Sequence, residues 1–247
     1  MAEKGEADIL FWVGCSGALF DRNVRTTIAL AKILQRAGVD FAILGEEETC
    51  SGDPARRLGN EYLFQMLAQQ NIETLNRYKF RRIVTHCPHC FNTLKNEYPQ
   101  FGGHYEVIHH SQLIAELLQS GRLKPTKPLS GKITYHDSCY LGRYNGIYDA
   151  PRDILRAIPG SHLLEMKRSR ERGLCCGAGG GHAWMEVRQG RPVNHIRTEE
   201  VMSVGAEMVG TACPFCMQMM EDGIRAKQQE ETIAALDIAE IVERALE

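Results

Sequence analysis

Arg82-Ile83-Val84-Thr85-His86-Cys87-Pro88-His89-Cys90 and Met208-Val209-Gly210-Thr211-Ala212-Cys213-Pro214-Phe215-Cys216 are two copies of one local design. In each, a short run of strand character leads straight into a Cys-Pro-x-Cys turn. A proline directly after the first cysteine suits a strand-to-helix turn, where the helix N-terminus stabilises thiolate charge.

Outward from these turns, every other cysteine joins the same repeat. Cys15 and Cys139 are 124 residues apart, Cys50 and Cys175 are 125 apart, and Cys87/Cys213 and Cys90/Cys216 are 126 apart. Only Cys176 has no cysteine counterpart: Ser51 stands there if the turns are matched on Gly52 and Gly177. Matching by distance to the Cys-x-x-Cys pairs Cys50 with Cys176 instead.

The flanking elements repeat too. In the first unit, residues 9–14 read as a buried strand ending at Cys15, and residues 23–37 as a helix (Ile28, Leu30, Ala31, Leu34) closed by Gly38. Strand 40–44 precedes the Cys50-to-Pro54 turn, and helix 60–78 precedes strand 82–85. Strand 106–109 is followed by a helix. The second unit offers strand 132–135, helix 151–158, strand 162–166, and the glycine-rich turn Cys175-Cys176-Gly177-Ala178-Gly179-Gly180-Gly181. A long helix over 184–204 with a kink at Pro192, strand 208–211 and a mostly helical tail over 233–246 complete it. Alternating strands and helices predict an α/β fold of two pseudo-symmetric Rossmann-like units with largely parallel sheets. The cysteine sites then fall in loops at strand C-terminal ends, where such folds build their sites. The units are expected at 1–124 and 125–247, joined near Pro125 and Pro128.

Composition limits the function. The chain has 247 residues, a net charge of -2 and 24% charged residues, with no basic stripe to suggest nucleic acid. The cluster Lys167, Arg168, Arg170 and Arg172 is interrupted by Ser169 and Glu171 and reads as a solvated loop. No apolar run is long enough to cross a bilayer, and residues 1–8 are too polar for a secretory signal, so a cytoplasmic chain is expected. The first strand starts within ten residues of the N-terminus, which suggests a subunit of a complex or a piece of a longer polypeptide. An odd count of nine cysteines, clustered, points to metal or catalysis rather than a disulfide framework.

Thiolates suit zinc and iron–sulfur clusters. Tetrahedral zinc needs four ligands and rarely takes adjacent cysteines, so the five thiols Cys139, Cys175, Cys176, Cys213 and Cys216 favour a multi-iron group. Cys15, Cys50, Cys87 and Cys90 can hold a cubane cluster, a cluster with a non-cysteine or open position, or zinc, and a cluster is favoured.

At these residues the chain resembles the cysteine-rich CCG domain family, on Cys139, Cys175-Cys176-Gly177 and Cys213-Pro214-Phe215-Cys216 and on the stretch His136 to Arg143. That family includes the B and D type subunits of heterodisulfide reductase and related iron–sulfur proteins. The residues from Asp53-Pro54 through 60–70 look most similar to its electron-transfer-flavoprotein-linked quinone reductase branch. The resemblance implies a noncubane [4Fe-4S] cluster on the five cysteines of the second unit and a second [4Fe-4S] cluster on the four of the first. Ser51 departs from the five-cysteine pattern there. It implies an iron–sulfur oxidoreductase subunit that passes electrons from a flavoprotein or ferredoxin-type partner to a disulfide, quinone or other carrier. Membrane contact would come only through a partner or a missing segment.

Two other readings compete. A thiol–disulfide oxidoreductase would use Cys-x-x-Cys pairs such as Cys87 and Cys90 and leave the remote cysteines dispensable, and a zinc-stabilised interaction module would leave the fifth thiol idle. Within the favoured class, a catalyst needs an open side at one cluster and a relay does not. Among other residues, His86 and His136, just before cysteines, could tune potential, ligate or move protons, but read more readily as hydrogen-bonded strand-end residues, and His109-His110 as capping or surface residues. His182 is the best histidine for a contact behind the ligands. Gly177 to Gly181 lack clean dinucleotide-loop spacing. Met217, Met219 and Met220 read as core filling, and Trp184 as packing beside the cluster loop.

Overall fold

The computed structural model describes residues 1–185 and 190–246. The first unit runs β1 (Glu6–Trp12), α1 (Gly14–Leu19), α2 (Asp21–Arg36), β2 (Phe41–Ala42), α3 (Asp53–Arg57), α4 (Glu61–Leu75), β3 (Lys79–Thr85), α5 (Pro88–Asn92), β4 (Val107–His109) and α6 (His110–Gln119). The second runs β5 (Gly131–Tyr135), α7 (Asp149–Ala157), β6 (Ser161–Leu164), α8 (Val193–Ser203), β7 (Met208–Thr211), α9 (Pro214–Ala226), β8 (Ala234–Asp237) and α10 (Ile238–Leu246).

Each unit builds a four-stranded sheet, in order β2-β1-β3-β4 and β6-β5-β7-β8, with every pairing parallel. The α/β expectation of two Rossmann-like parallel units is therefore met. In both sheets the chain order reverses between the first and third strands of the unit. Ligands of open α/β sheets bind at such a switch point, outside the strand C-termini. The register fixes the equivalence of the units: Ile9 pairs with Arg82 and Trp12 with Thr85, while Ile133 pairs with Met208 and Tyr135 with Gly210. Trp12 and His136 thus hold the same position at the C-terminal end of the central strand.

Two apolar cores run through both units. One gathers Leu10, Trp12, Phe64, Ile83 and Phe91 with Val209, Phe215 and Met220, together with the buried cysteines. The other gathers Ile9, Phe11, Leu30 and Ile33 with Tyr135, Leu155, Ile238 and Ile241. Helix α2 ends as expected: the Val39 and Gly38 amides donate to the Leu34 and Gln35 carbonyls, with Gly38 in the left-handed region (φ 61°).

Three segments depart from the sequence expectation. Residues 40–44 yield a strand only at Phe41–Ala42, because Leu44 already turns helical and Gly45 (φ 64°) starts a 3-10 turn. The tail is helical over Ile238–Leu246 as expected, but Ala234–Asp237 before it forms the edge strand β8. The helix expected over 184–204 starts only at Val193, with extended Pro192 (ψ 135°) as its N-cap rather than a kink. His182–Trp184 form a separate 3-10 turn, and residues 186–189 of that expectation lie outside the described residues.

Candidate metal centre

Six loops bring the nine cysteines together. Cys15 follows β1 within α1, Cys87 caps α5, and Cys90 lies in that helix's first turn. Cys50 and Ser51 come from the loop before α3. In the second unit Cys139 follows β5, Cys175 and Cys176 lie between β6 and α8, and Cys213 caps α9 with Cys216 inside it. The Glu48 carboxylate braces the first loop by accepting the amides of Val13 (2.9 Å) and Gly14 (2.5 Å).

The two groups match contact by contact. Cys15 bonds Cys50 as Cys139 bonds Cys175, and Cys87 contacts Cys90 as Cys213 contacts Cys216. The Gly52 amide donates to Cys50 Sγ at 3.4 Å, and the Gly177 amide to Cys175 Sγ at 3.3 Å. Both glycines are left-handed (φ 89° and 99°), a conformation that brings the backbone amide onto the thiol. This settles the alignment: Cys50 matches Cys175, and Ser51 stands in the place of Cys176. Ser51 Oγ lies 3.5 Å from Cys90 Sγ, where Cys176 Sγ lies 3.3 Å from Cys216 Sγ.

All nine cysteines are free thiols. Crowded sulfurs cannot all ionise without a compensating cation. Contact with Cys15 holds the Cys50 thiol down to about 7, while the same contact drives Cys15 far up. Burial and contact with Cys90 raise Cys87, and contacts with Cys176 and Cys213 raise Cys216. Such mutual frustration fits a ligand set that polynuclear iron would neutralise.

The groups meet across the units at His89. Its Nδ1 pairs with Asp53 Oδ2 at 2.8 Å, and Asp53 is also held by Arg57 Nε at 3.0 Å. The ring stacks on Tyr140 (4.2 Å) and meets Phe215 edge-on (5.0 Å). Burial pushes the imidazolium down, but bonds to Asp53 and to Cys213 of the other unit outweigh this and bring it up to about 10. Burial pushes Cys213 up, and its contacts with Cys216 and His89 bring it well below the usual thiol range. Beside this contact, Asp53, Arg57, His89, Gly181, Trp184 and Phe215 line a recess open at the unit boundary.

A family model described as a cysteine-rich domain, CCG, matches residues 9–95 and 133–221. The chain belongs to the CCG cysteine-rich domain family. It is 49% identical to the probable iron-sulfur-binding oxidoreductase FadF of Bacillus subtilis, over 99% of this chain and 35% of that protein. It is 47% identical to the EtfAB:quinone oxidoreductase of Syntrophomonas wolfei, over 98% of this chain and 35% of that one. A third relative is the D-type component of the dihydromethanophenazine:CoB--CoM heterodisulfide reductase of Methanosarcina barkeri. Identity to it is 36%, over 98% of this chain and 60% of that one. The chain thus spans about a third of the length of the first two relatives. The resemblance read from the sequence holds, and these relatives are named as oxidoreductases or reductase components.

Some expectations about other residues need revision. His182 is exposed and bonds back to the Gly179 carbonyl at 2.9 Å. His109 caps α6 as expected, but both His109 and His110 are fully buried, and His110 Nε2 bonds Asp237 Oδ1 at 2.9 Å. Met217 and Met220 are buried core residues, and Trp184 is half exposed with its ring edge-on to Phe215 at 5.5 Å. Reading the sequence missed His89 and Asp53 as residues of the site. The signal for His89 was available: a histidine between two cysteines, where its repeat partner is Phe215.

Proposed function

We propose that this chain is the cluster-bearing part of an iron–sulfur oxidoreductase, with one [4Fe-4S] group on Cys15, Cys50, Cys87 and Cys90 and a second, noncubane one on Cys139, Cys175, Cys176, Cys213 and Cys216. The observation that carries the reading is the matched contact pattern of the two thiol groups at the switch points of two parallel sheets. Bound clusters would supply one-electron redox chemistry. The chain's own residues hold the ligands, exclude water, and direct amides and His89 at the sulfurs. The units 1–124 and 125–247 each carry one site. Electrons would come from a flavoprotein or ferredoxin-type partner and leave to a disulfide, quinone or other carrier, in line with the names of the relatives. Among the described residues no helix is long and apolar enough to cross a membrane. A cytoplasmic place, with membrane contact through a complex, suits this reading.

The burial of Cys87 (3% exposed) and Cys213 (0%) speaks against an exchanging dithiol, which needs an accessible attacking thiol. Zinc would leave a sulfur of the second unit without a metal. Anaerobic purification followed by iron, zinc and acid-labile sulfide analysis tests the proposal. Brown protein with matched iron and sulfide supports it. Colourless protein with zinc, or with no metal after reconstitution, overturns it.

A further inference from the structure

His136 is buried (1% exposed) at the end of β5. One of its ring nitrogens and the sulfurs of Cys176 and Cys216 lie within 4.8 Å of one another. Its two nitrogens have different fates. Nδ1 accepts a hydrogen bond from Arg197 Nε at 3.0 Å. Arg197 is itself fully buried and anchored through Nη1 to the Arg168 carbonyl (2.8 Å) and Glu200 (2.6 Å). A guanidinium only donates, so Nδ1 must carry a lone pair. The proton of the neutral imidazole then sits on Nε2, and Nε2 has no partner among the described residues. A buried donor without an acceptor costs about 1–3 kcal/mol, so such groups call for a partner that the polypeptide does not itself supply.

Resting on the reading of the second unit as a cluster site, we propose that His136 is a positioning residue that donates its Nε2–H to a sulfur of the group held by Cys176 and Cys216, and is not a ligand. Arg197 sets the tautomer and aims the ring. A hydrogen bond to a sulfur draws electron density away and stabilises the more reduced cluster, raising its potential. The first unit carries a matching feature. Trp12, at the same register position, is fully buried in the core that contains Cys87 and Cys90, and its Nε1–H also has no partner among the described residues. An indole can donate but cannot ligate. The shared position in the repeat is therefore filled by an N–H donor in both units, with different rings.

The test uses the anaerobically purified, cluster-loaded chain. In His136→Leu the iron and sulfide content is expected to equal that of the unsubstituted protein, with the midpoint potential of the second cluster shifted negative. His136→Gln, which keeps an N–H near the Nε2 position, should restore most of the shift. An unchanged potential in His136→Leu overturns the proposal. Electron–nuclear double resonance gives a second readout: because the Gly177 amide and His89 also donate to this sulfur group, the coupling assigned to His136 is the one present in the unsubstituted protein and missing from His136→Leu. An exchangeable proton coupling that disappears in D2O, without strong nitrogen coupling, is the expected result. Strong 15N coupling would make His136 a ligand and overturn it. A protein with no iron would instead overturn the cluster assignment beneath it, so the two failures are distinguishable.

Discussion

His89 and Phe215 hold the same place in the two Cys-Pro-x-Cys turns, and they touch each other, ring centroids 5.0 Å apart at 72°. Equivalent positions can meet in this way only where the pseudo-symmetry axis of the repeat passes. The thiol groups therefore face one another across that axis, and each reaches into the other's unit. Phe215 lines the recess of Cys15, Cys50, Cys87 and Cys90, while His89 bonds Cys213.

His89→Leu removes the donor to Cys213 and leaves Asp53 with Arg57 as its remaining side-chain partner. Although His89 belongs to the first unit, the spectrum and potential of the second cluster are expected to move, with iron content retained. Global stability should fall by about 1–3 kcal/mol from the lost buried bonds. Potentiometric titration followed by electron paramagnetic resonance checks this. A change confined to the first cluster would mean that the contact with Cys213 has no electronic consequence.

Ser51→Cys is a gain-of-ligand experiment. Ser51 Oγ already lies 3.5 Å from Cys90 Sγ, in the place of Cys176, and Ser51 is buried. The substitution adds a fifth thiol without moving the backbone, and the resonance of the first cluster should shift toward that of the second. Cys176→Ser should do the reverse in the second unit and leave the first untouched. Identical spectra before and after either change would separate cluster type from thiol count.

The parallel sheets and the grouping of cysteines were legible because strand-end thiols at constant offsets leave few other arrangements. The edge strands were not. β2 pairs over two residues, and β8 is four residues long and runs directly into α10, so a short apolar run gives no period to separate strand from helix. The shared role of Trp12 and His136 was hidden for a different reason. Their side chains have nothing in common except an N–H, and only strand register places them together. The place of His89 between two cysteines was a visible signal, but what it bonds was not, because Cys213 lies in the other unit.

Arg152 offers a local test of how the Cys139 loop is held. It is fully buried, donates to both oxygens of Asp137 (2.7 and 2.9 Å) and to Glu165 (2.6 and 2.9 Å), and caps the Tyr148 carbonyl at 2.8 Å. Arg152→Met would strand the Asp137 carboxylate, which is otherwise held by the Arg170 amide. A loss of about 3–5 kcal/mol is expected, as for a broken buried pair. Because Asp137 is two residues from Cys139, iron should be lost from the second unit before the first. Denaturant titration with iron analysis reads both effects.

The two units should unfold as one. Arg22 of α2 reaches wholly into the second unit, where it bonds Glu240 (3.0 and 3.1 Å), the Ala235 carbonyl (2.9 Å) and Glu221. Both apolar cores also draw residues from each unit, so separating the halves would expose Ile9, Phe11 and Leu30 on one side and Ile238 and Ile241 on the other. Apolar surface of that extent is too costly to leave in water for either half to stay folded alone. A single cooperative transition is expected, seen equally by far-ultraviolet circular dichroism and tryptophan fluorescence, and Arg22→Met should move its midpoint without splitting it. Two separated transitions would show that the repeat is a pair of independent domains. His89 could then hold its bond to Cys213 only while they stay docked.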